Sequence, residues 1–304
     1  MMDVKDFRYF FFFQFLILQG VLIWILFDRS LEIEGDIGVY LNMIAGTRDM
    51  DNIEPASYLI FTLIGFLPTD VHFSVLYSLV FGLSIIESWI VFKNTNGSLI
   101  WMLFFSLAIV PFFHAINLRT GFGMFILFLT FRSNLSLIAT SFFHSSFIPL
   151  IIGFRLKLSI KQLLFIGSVA TLIGITLYVL VSDKFNAYMG YYAPEDSVFG
   201  VTVEIFWILT FSFILMNKYQ INSKILWYRI FYSLIFISLI SLNVAIISSR
   251  FVTMSYLLLL IIAMNSDKRI SDLKVSVLDI LFYLFLAGLI LFRLYRIITM
   301  FGLF

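Results

Sequence analysis

The residues of this chain best suited to chemistry are ionisable groups set inside or beside apolar segments. Arg119, Arg132 and His144 fall within residues 114–149, HAINLRTGFGMFILFLTFRSNLSLIATSFFHSSFIP. An ionisable side chain at lipid depth costs about 2.5 kcal/mol or more unless it faces protein or water. Three such groups in one short stretch therefore imply a use for them. The Arg119 guanidinium, in Asn117-Leu118-Arg119-Thr120-Gly121, keeps its charge at any relevant pH and can grip two phosphate oxygens at once. Gly121 and Gly123 allow backbone or ligand to come close. The competing account is an arginine that marks a helix end and snorkels to water. His144, with Ser145 and Ser146 after it, lies near the middle of its apolar segment, too deep for that escape. It is either a proton carrier, a donor to sugar or phosphate, or the partner of a neighbouring helix. Arg250 follows Ser248 and Ser249 between two apolar runs, a pattern that predicts a turn held at one membrane face. His72 and His114 stand close to predicted segment ends and are weaker candidates.

The acidic candidates lie earlier. In EGDIGVYLNM, residues 34–43, a helix would place Asp36 and Tyr40 on one face at i, i+4. A carboxylate held there could take a proton from a hydroxyl, while the alternative is a solvated acidic loop. Arg48 follows in the same connection. Glu54-Pro55 suits a helix start, with Pro in the first helical position and a carboxylate facing the positive end of the dipole. That capping role alone accounts for the pair. Three scattered histidines offer no HxxE or HxxxH spacing and cysteine is absent, so neither a metal nor another cofactor is expected. A Walker loop, a GxSxG elbow and a strand-borne GxGxxG are also missing.

The elements that must carry these residues are apolar. Of 304 residues, 61% are hydrophobic and 12% charged, with a mean hydropathy of +1.03. Soluble domains carry about 25% charged residues, so the chain reads as one all-α polytopic membrane domain spanning residues 1–304. A net charge of +2, without basic runs interleaved with aromatics, gives no support for nucleic-acid binding. Apolar segments fall at 8–27, 55–68, 71–92, 99–116, 120–131, 134–153, 162–182, 201–216, 225–248, 250–264 and 277–298, which predicts 10–11 transmembrane or half-membrane helices. The first reads as a retained helix rather than a cleaved leader. The segments 55–68 and 120–131 are short and read as half-helices, re-entrant pieces or parts of longer bent helices.

Basic residues set the expected orientation. Lys5 and Arg8, then Arg155, Lys157 and Lys161, then Lys218 and Lys224, and finally Lys268, Arg269 and Lys274 mark cytoplasmic ends. The acidic connection 28–54 and the aromatic-rich 183–200 are expected outside. Counting every segment as a span puts Arg119 inside. If 55–68 only dips into the membrane, Arg119 moves to the outer face. Arg293 and Arg296 break the charge trend, as an ordinary exception or as additional anion contacts. These groups fit an enzyme in a membrane acting on an anionic, lipid-linked substrate. A carrier of such a lipid and a glycan-modifying acyltransferase are the rival readings.

Asp36 with Tyr40, Glu54-Pro55, Asn117-Leu118-Arg119-Thr120-Gly121, Phe143-His144-Ser145-Ser146 and a late Ser249-Arg250 occur in that order. In this the chain resembles the EpsG-like branch of Wzy-type polysaccharide (O-antigen) polymerases across roughly residues 30–255, with Thr120 where such proteins often carry a polar amide. The resemblance implies a GT-C-like fold and inverting, metal-independent glycosyl transfer at the periplasmic leaflet of a bacterial inner membrane. It implies undecaprenyl-pyrophosphate-linked glycans as substrates, with a flippase and a chain-length regulator as partners. For that reaction Arg119 and Arg250 are the expected cations for the leaving pyrophosphate, with Arg48 in reserve. His144 or Asp36 is the expected base. Tyr40, Glu54, Asn117 and Ser145 are expected to line the substrate.

Overall fold

A computed structural model describes residues 4–32, 36–48, 50, 53–130, 140, 142, 162, 165, 196–219, 226–240, 245–265 and 277–301. No strand occurs among them. Five of their helices are long and apolar enough to cross a membrane, and the chain is an all-α polytopic membrane protein. It divides into two compact units: Met1–Ile148 with Ile290–Phe304, and Pro149–Leu289.

The first unit opens with α1, Val4–Glu32, whose 29 residues reach about 43 Å at 1.5 Å per residue. That exceeds a hydrocarbon core of about 30 Å, so the polar residues Asp28, Arg29 and Glu32 continue the helix past the lipid instead of forming the loop expected from residue 28. Phe10, Phe13, Ile17 and Trp24 stay exposed while Ile23, Leu26 and Phe27 are buried, as befits a helix with lipid on one side and protein on the other. Helix α2, Asp36–Ile44, folds back on α1, where Ser30 Oγ accepts the Ile37 N–H at 3.2 Å. Helix α3 is Pro55–Gly65, and α4 is His72–Asn94.

Aromatic contacts fix the direction of α4. Phe73 meets Trp24 and Phe27 at one end, and Phe92 meets Tyr9 and Phe12 at the other. Helix α4 thus runs antiparallel to α1 and starts near the far end of α1, where α2 also begins. The carboxyl end of α3 rests on α2: a Cβ on Gly65 would lie 2.8 Å from the Ile44 carbonyl oxygen. Both ends of α3 therefore lie toward one end of the unit. Eleven residues, about 16 Å of helix, could not have crossed.

Helix α5, Leu99–Ile116, returns through the bundle. From Phe105 onward it widens into π-helical segments, Phe105–Ile109 and Pro111–Ile116. Pro111 has no N–H to give and its ring crowds the preceding turn, conditions that a locally widened helix accommodates. Asn117, at φ −132° and ψ 60°, ends α5, and α6 follows at Leu118–Thr130. Polar bonds tie these apolar helices together. Gln19 donates to Ser106 Oγ at 2.7 Å and accepts from Ser88 at 2.9 Å. Between membrane helices such a bond is worth about 0.6 kcal/mol on average.

The second unit holds α7, Asp196–Tyr219; α8, Leu226–Ile240; α9, Ala245–Met264; and the first half of α10, Val277–Phe301. Ser238 and Ser248 clamp α8 to α9, each hydroxyl bonding the other residue's carbonyl, with 2.7 Å between the two hydroxyl oxygens. Tyr228 OH donates to the Ser212 carbonyl of α7. Lys218 pairs with Asp279 at 2.9 Å and lies 3.9 Å from the Phe282 ring centroid. Of the eleven expected apolar segments, 134–153 and 162–182 lie almost wholly outside the described residues.

Candidate functional site

Three residues that the sequence left far apart meet in the first unit. Arg119, second residue of α6, donates from Nη1 to Glu54 Oε2 at 2.6 Å and from Nε to the Tyr40 hydroxyl at 3.3 Å. Its guanidinium carbon stands 5.9 Å from the Tyr40 ring centroid. Each member arrives on a different element. Helix α2 delivers Tyr40, which is 4% exposed and packs its ring on Phe61 of α3 at 5.2 Å. Phe61 in turn meets Phe122 of α6 at 6.5 Å, so an aromatic stack holds the three helices beneath the polar groups.

Glu54 occupies the N-cap position of α3, with Pro55 at the first helical position as expected. Its backbone carbonyl accepts the Tyr58 N–H at 2.9 Å, but its side chain makes no capping bond. The carboxylate turns to Arg119 instead, which corrects the capping role read from sequence. An opposite charge with a charge-assisted bond outcompetes backbone N–H groups at a helix end. Arg119 and Glu54 are 22% and 16% exposed, so the pair is screened from water without being sealed off. Among the described residues two of the five guanidinium N–H donors are engaged, which leaves Nη2 able to meet a ligand.

The bond to Glu54 also resolves the side on which Arg119 lies. Because α3 does not cross, Arg119 sits at the same end of the unit as the acidic connection before Pro55. The simple segment count, which sent it to the opposite face, is overturned. Phe142 joins this end as well: its carbonyl accepts the Ala56 N–H of α3 at 3.2 Å. Two residues on, His144 and Ser145 lie outside the described residues, as do Arg132 and the side chain of Asp36.

The remaining candidates fall elsewhere. Arg48 is exposed in the turn after α2. Asn117 is half-buried and its carbonyl closes the first turn of α6 by accepting the Gly121 N–H at 3.0 Å. Arg250 belongs to the second unit and is exposed, six residues into α9 rather than in a turn between two helices. The helix already runs from Ala245, because Ser248 and Ser249 can bond carbonyls within or across helices and need not end one. Arg293 is fully buried against the Phe112 ring, 4.1 Å from its centroid, and offers no surface for an anion.

Sequence reasoning missed a second polar pair altogether. Glu87, within α4, meets His114 Nε2 of the π-helical end of α5 at 2.5 Å, and both side chains are fully buried. A carboxylate in the apolar run SIIESWIVF was the available signal. His114, read as a weak segment-end residue, is in fact a core group. His72 keeps to the segment-end role, with its Nε2 2.8 Å from the Leu67 carbonyl oxygen. Among the described residues no group of three His, Asp or Glu is placed to hold a metal ion. No family model, curated protein or solved structure matches this chain.

Proposed function

We propose that this chain is a membrane glycosyltransferase of the polysaccharide-polymerase type, joining oligosaccharide repeat units carried on a lipid pyrophosphate. The observation that carries the reading is the meeting of Tyr40, Glu54 and Arg119 within hydrogen-bond reach, from positions 65 and 79 residues apart. In the reaction, a hydroxyl of the acceptor unit attacks the anomeric carbon of the donor glycan with inversion. The bond from that carbon to the pyrophosphate oxygen breaks, the hydroxyl proton passes to a base, and the lipid pyrophosphate departs with the negative charge.

Arg119 is suited to the departing pyrophosphate because Glu54 and Tyr40 fix its plane while Nη2 remains for a phosphoryl oxygen. Glu54 also neutralises the cation at rest, so the pair costs less to bury than a lone guanidinium. His144 or Asp36 serves as the base in this reading. Arginines take the role of charge stabiliser, so the reaction calls on no divalent ion. The acidic connection, poor in Lys and Arg, supports a site at the external face, the periplasmic side of an inner membrane in this reading. A flippase would deliver the units and a chain-length regulator would set their number. Purified protein supplied with lipid-linked repeat units and no energy source is expected to lengthen them. Units returned unextended but moved across a vesicle bilayer would instead identify a carrier.

A further inference from the structure

The Glu87–His114 pair is unlike the other polar contacts of the first unit, because both groups ionise and neither meets water. Among the described residues, Glu87 Oε1 and His114 Nδ1 have no hydrogen-bond partner, so the 2.5 Å contact is what satisfies each group. Facing one another, the carboxylate and the imidazole offset the cost of burying each alone, inside two helices long and apolar enough to span a membrane.

Its neighbours give it a direction. A Cβ on Gly121 would lie 2.9 Å from His114 Nδ1 and 2.4 Å from the Phe113 carbonyl oxygen, so the imidazole rests directly on the α6 backbone. Gly121 is the residue whose N–H closes the turn from Asn117, and Arg119 sits inside that turn. We propose that Glu87 and His114 are positioning residues for Arg119. The carboxylate on α4 fixes the imidazole, the imidazole seats Gly121, and the seated turn aims the guanidinium at Glu54 and Tyr40. This concerns where Arg119 is held, and stands whether Arg119 serves a polymerase or a carrier.

The test is site-resolved labelling of arginines by phenylglyoxal in the full-length protein in membranes, read by peptide mass spectrometry. Arg119 should react slowly in the wild type. Glu87→Leu, an apolar change that a membrane helix tolerates, should raise Arg119 labelling several-fold while Arg48 and Arg250 keep their rates. Glu87→Gln, whose amide still reaches the imidazole, should restore the slow rate. Gly121→Ala disturbs the same turn from the other side and should raise Arg119 labelling with Glu87 intact. Wild-type labelling of Arg119 in both Glu87→Leu and Gly121→Ala overturns the proposal. So does a rise shared equally by Arg48 and Arg250, which would make the pair a general fold contact.

Discussion

Arg119 is where the physical argument for function concentrates, and its partners define what substitution should do. Removing the guanidinium leaves Glu54 without its cation, partly buried, so Arg119→Ala is expected to keep the protein in the membrane but abolish long glycan chains on a gel. Glu54→Gln separates two roles. A capping residue alone would leave chain extension intact, whereas the orienting role expects a loss of chain extension with unchanged protein level. Chain lengths equal to wild type would remove Glu54 from the site. For the histidines, His144→Ala is expected to lose activity and His72→Ala to keep it, because His72 bonds a loop carbonyl at the start of α4. Arg119, Tyr40 and Glu54 were each legible in the sequence as unusual groups, yet their meeting was not. Residue type signals capacity, and only the chain path brings positions 40, 54 and 119 together. Glu87 stands out as a lone carboxylate in an apolar run, but its partner His114 is 27 residues away on another helix, beyond any local spacing pattern.

Among the elements, the apolar segments marked most of the described helices, since lipid demands internally bonded backbone and the hydropathy pattern records it. What the pattern could not give was where α3 goes and where α9 begins. A short apolar segment such as 55–68 is compatible with a dip or with part of a bent span, and the contact of Gly65 with the Ile44 carbonyl of α2 decides. The absence of cysteine in the chain makes this testable by single replacements. Thr47→Cys and Asp70→Cys flank α3 at exposed positions, and Lys93→Cys lies exposed at the far end of α4. A membrane-impermeant thiol reagent should reach the first two from one side and the third from the other. Labelling of Thr47→Cys and Asp70→Cys from opposite sides would restore α3 as a crossing. Gln19 tests the packing of the same unit. Gln19→Leu loses its bonds to Ser88 and Ser106, and about 1 kcal/mol of stability with them, read as a lower thermal midpoint in detergent.

For the whole molecule, composition alone fixed the solvent: a chain with 12% charged residues has too few to cover a water-facing surface of this size. Its two units each carry buried polar groups, but the grip on a guanidinium by a carboxylate and a phenol belongs to the first. The central claim is that this held guanidinium steadies a departing lipid pyrophosphate. Its most direct test is single-turnover joining of two lipid-linked repeat units by purified protein without an energy source, comparing wild type with Arg119→Ala and Arg119→Lys. The account predicts rapid joining by wild type, none by Arg119→Ala and only slight activity for Arg119→Lys, whose point charge cannot bridge Glu54, Tyr40 and a phosphoryl oxygen together. Joining at the wild-type rate by Arg119→Ala would contradict it.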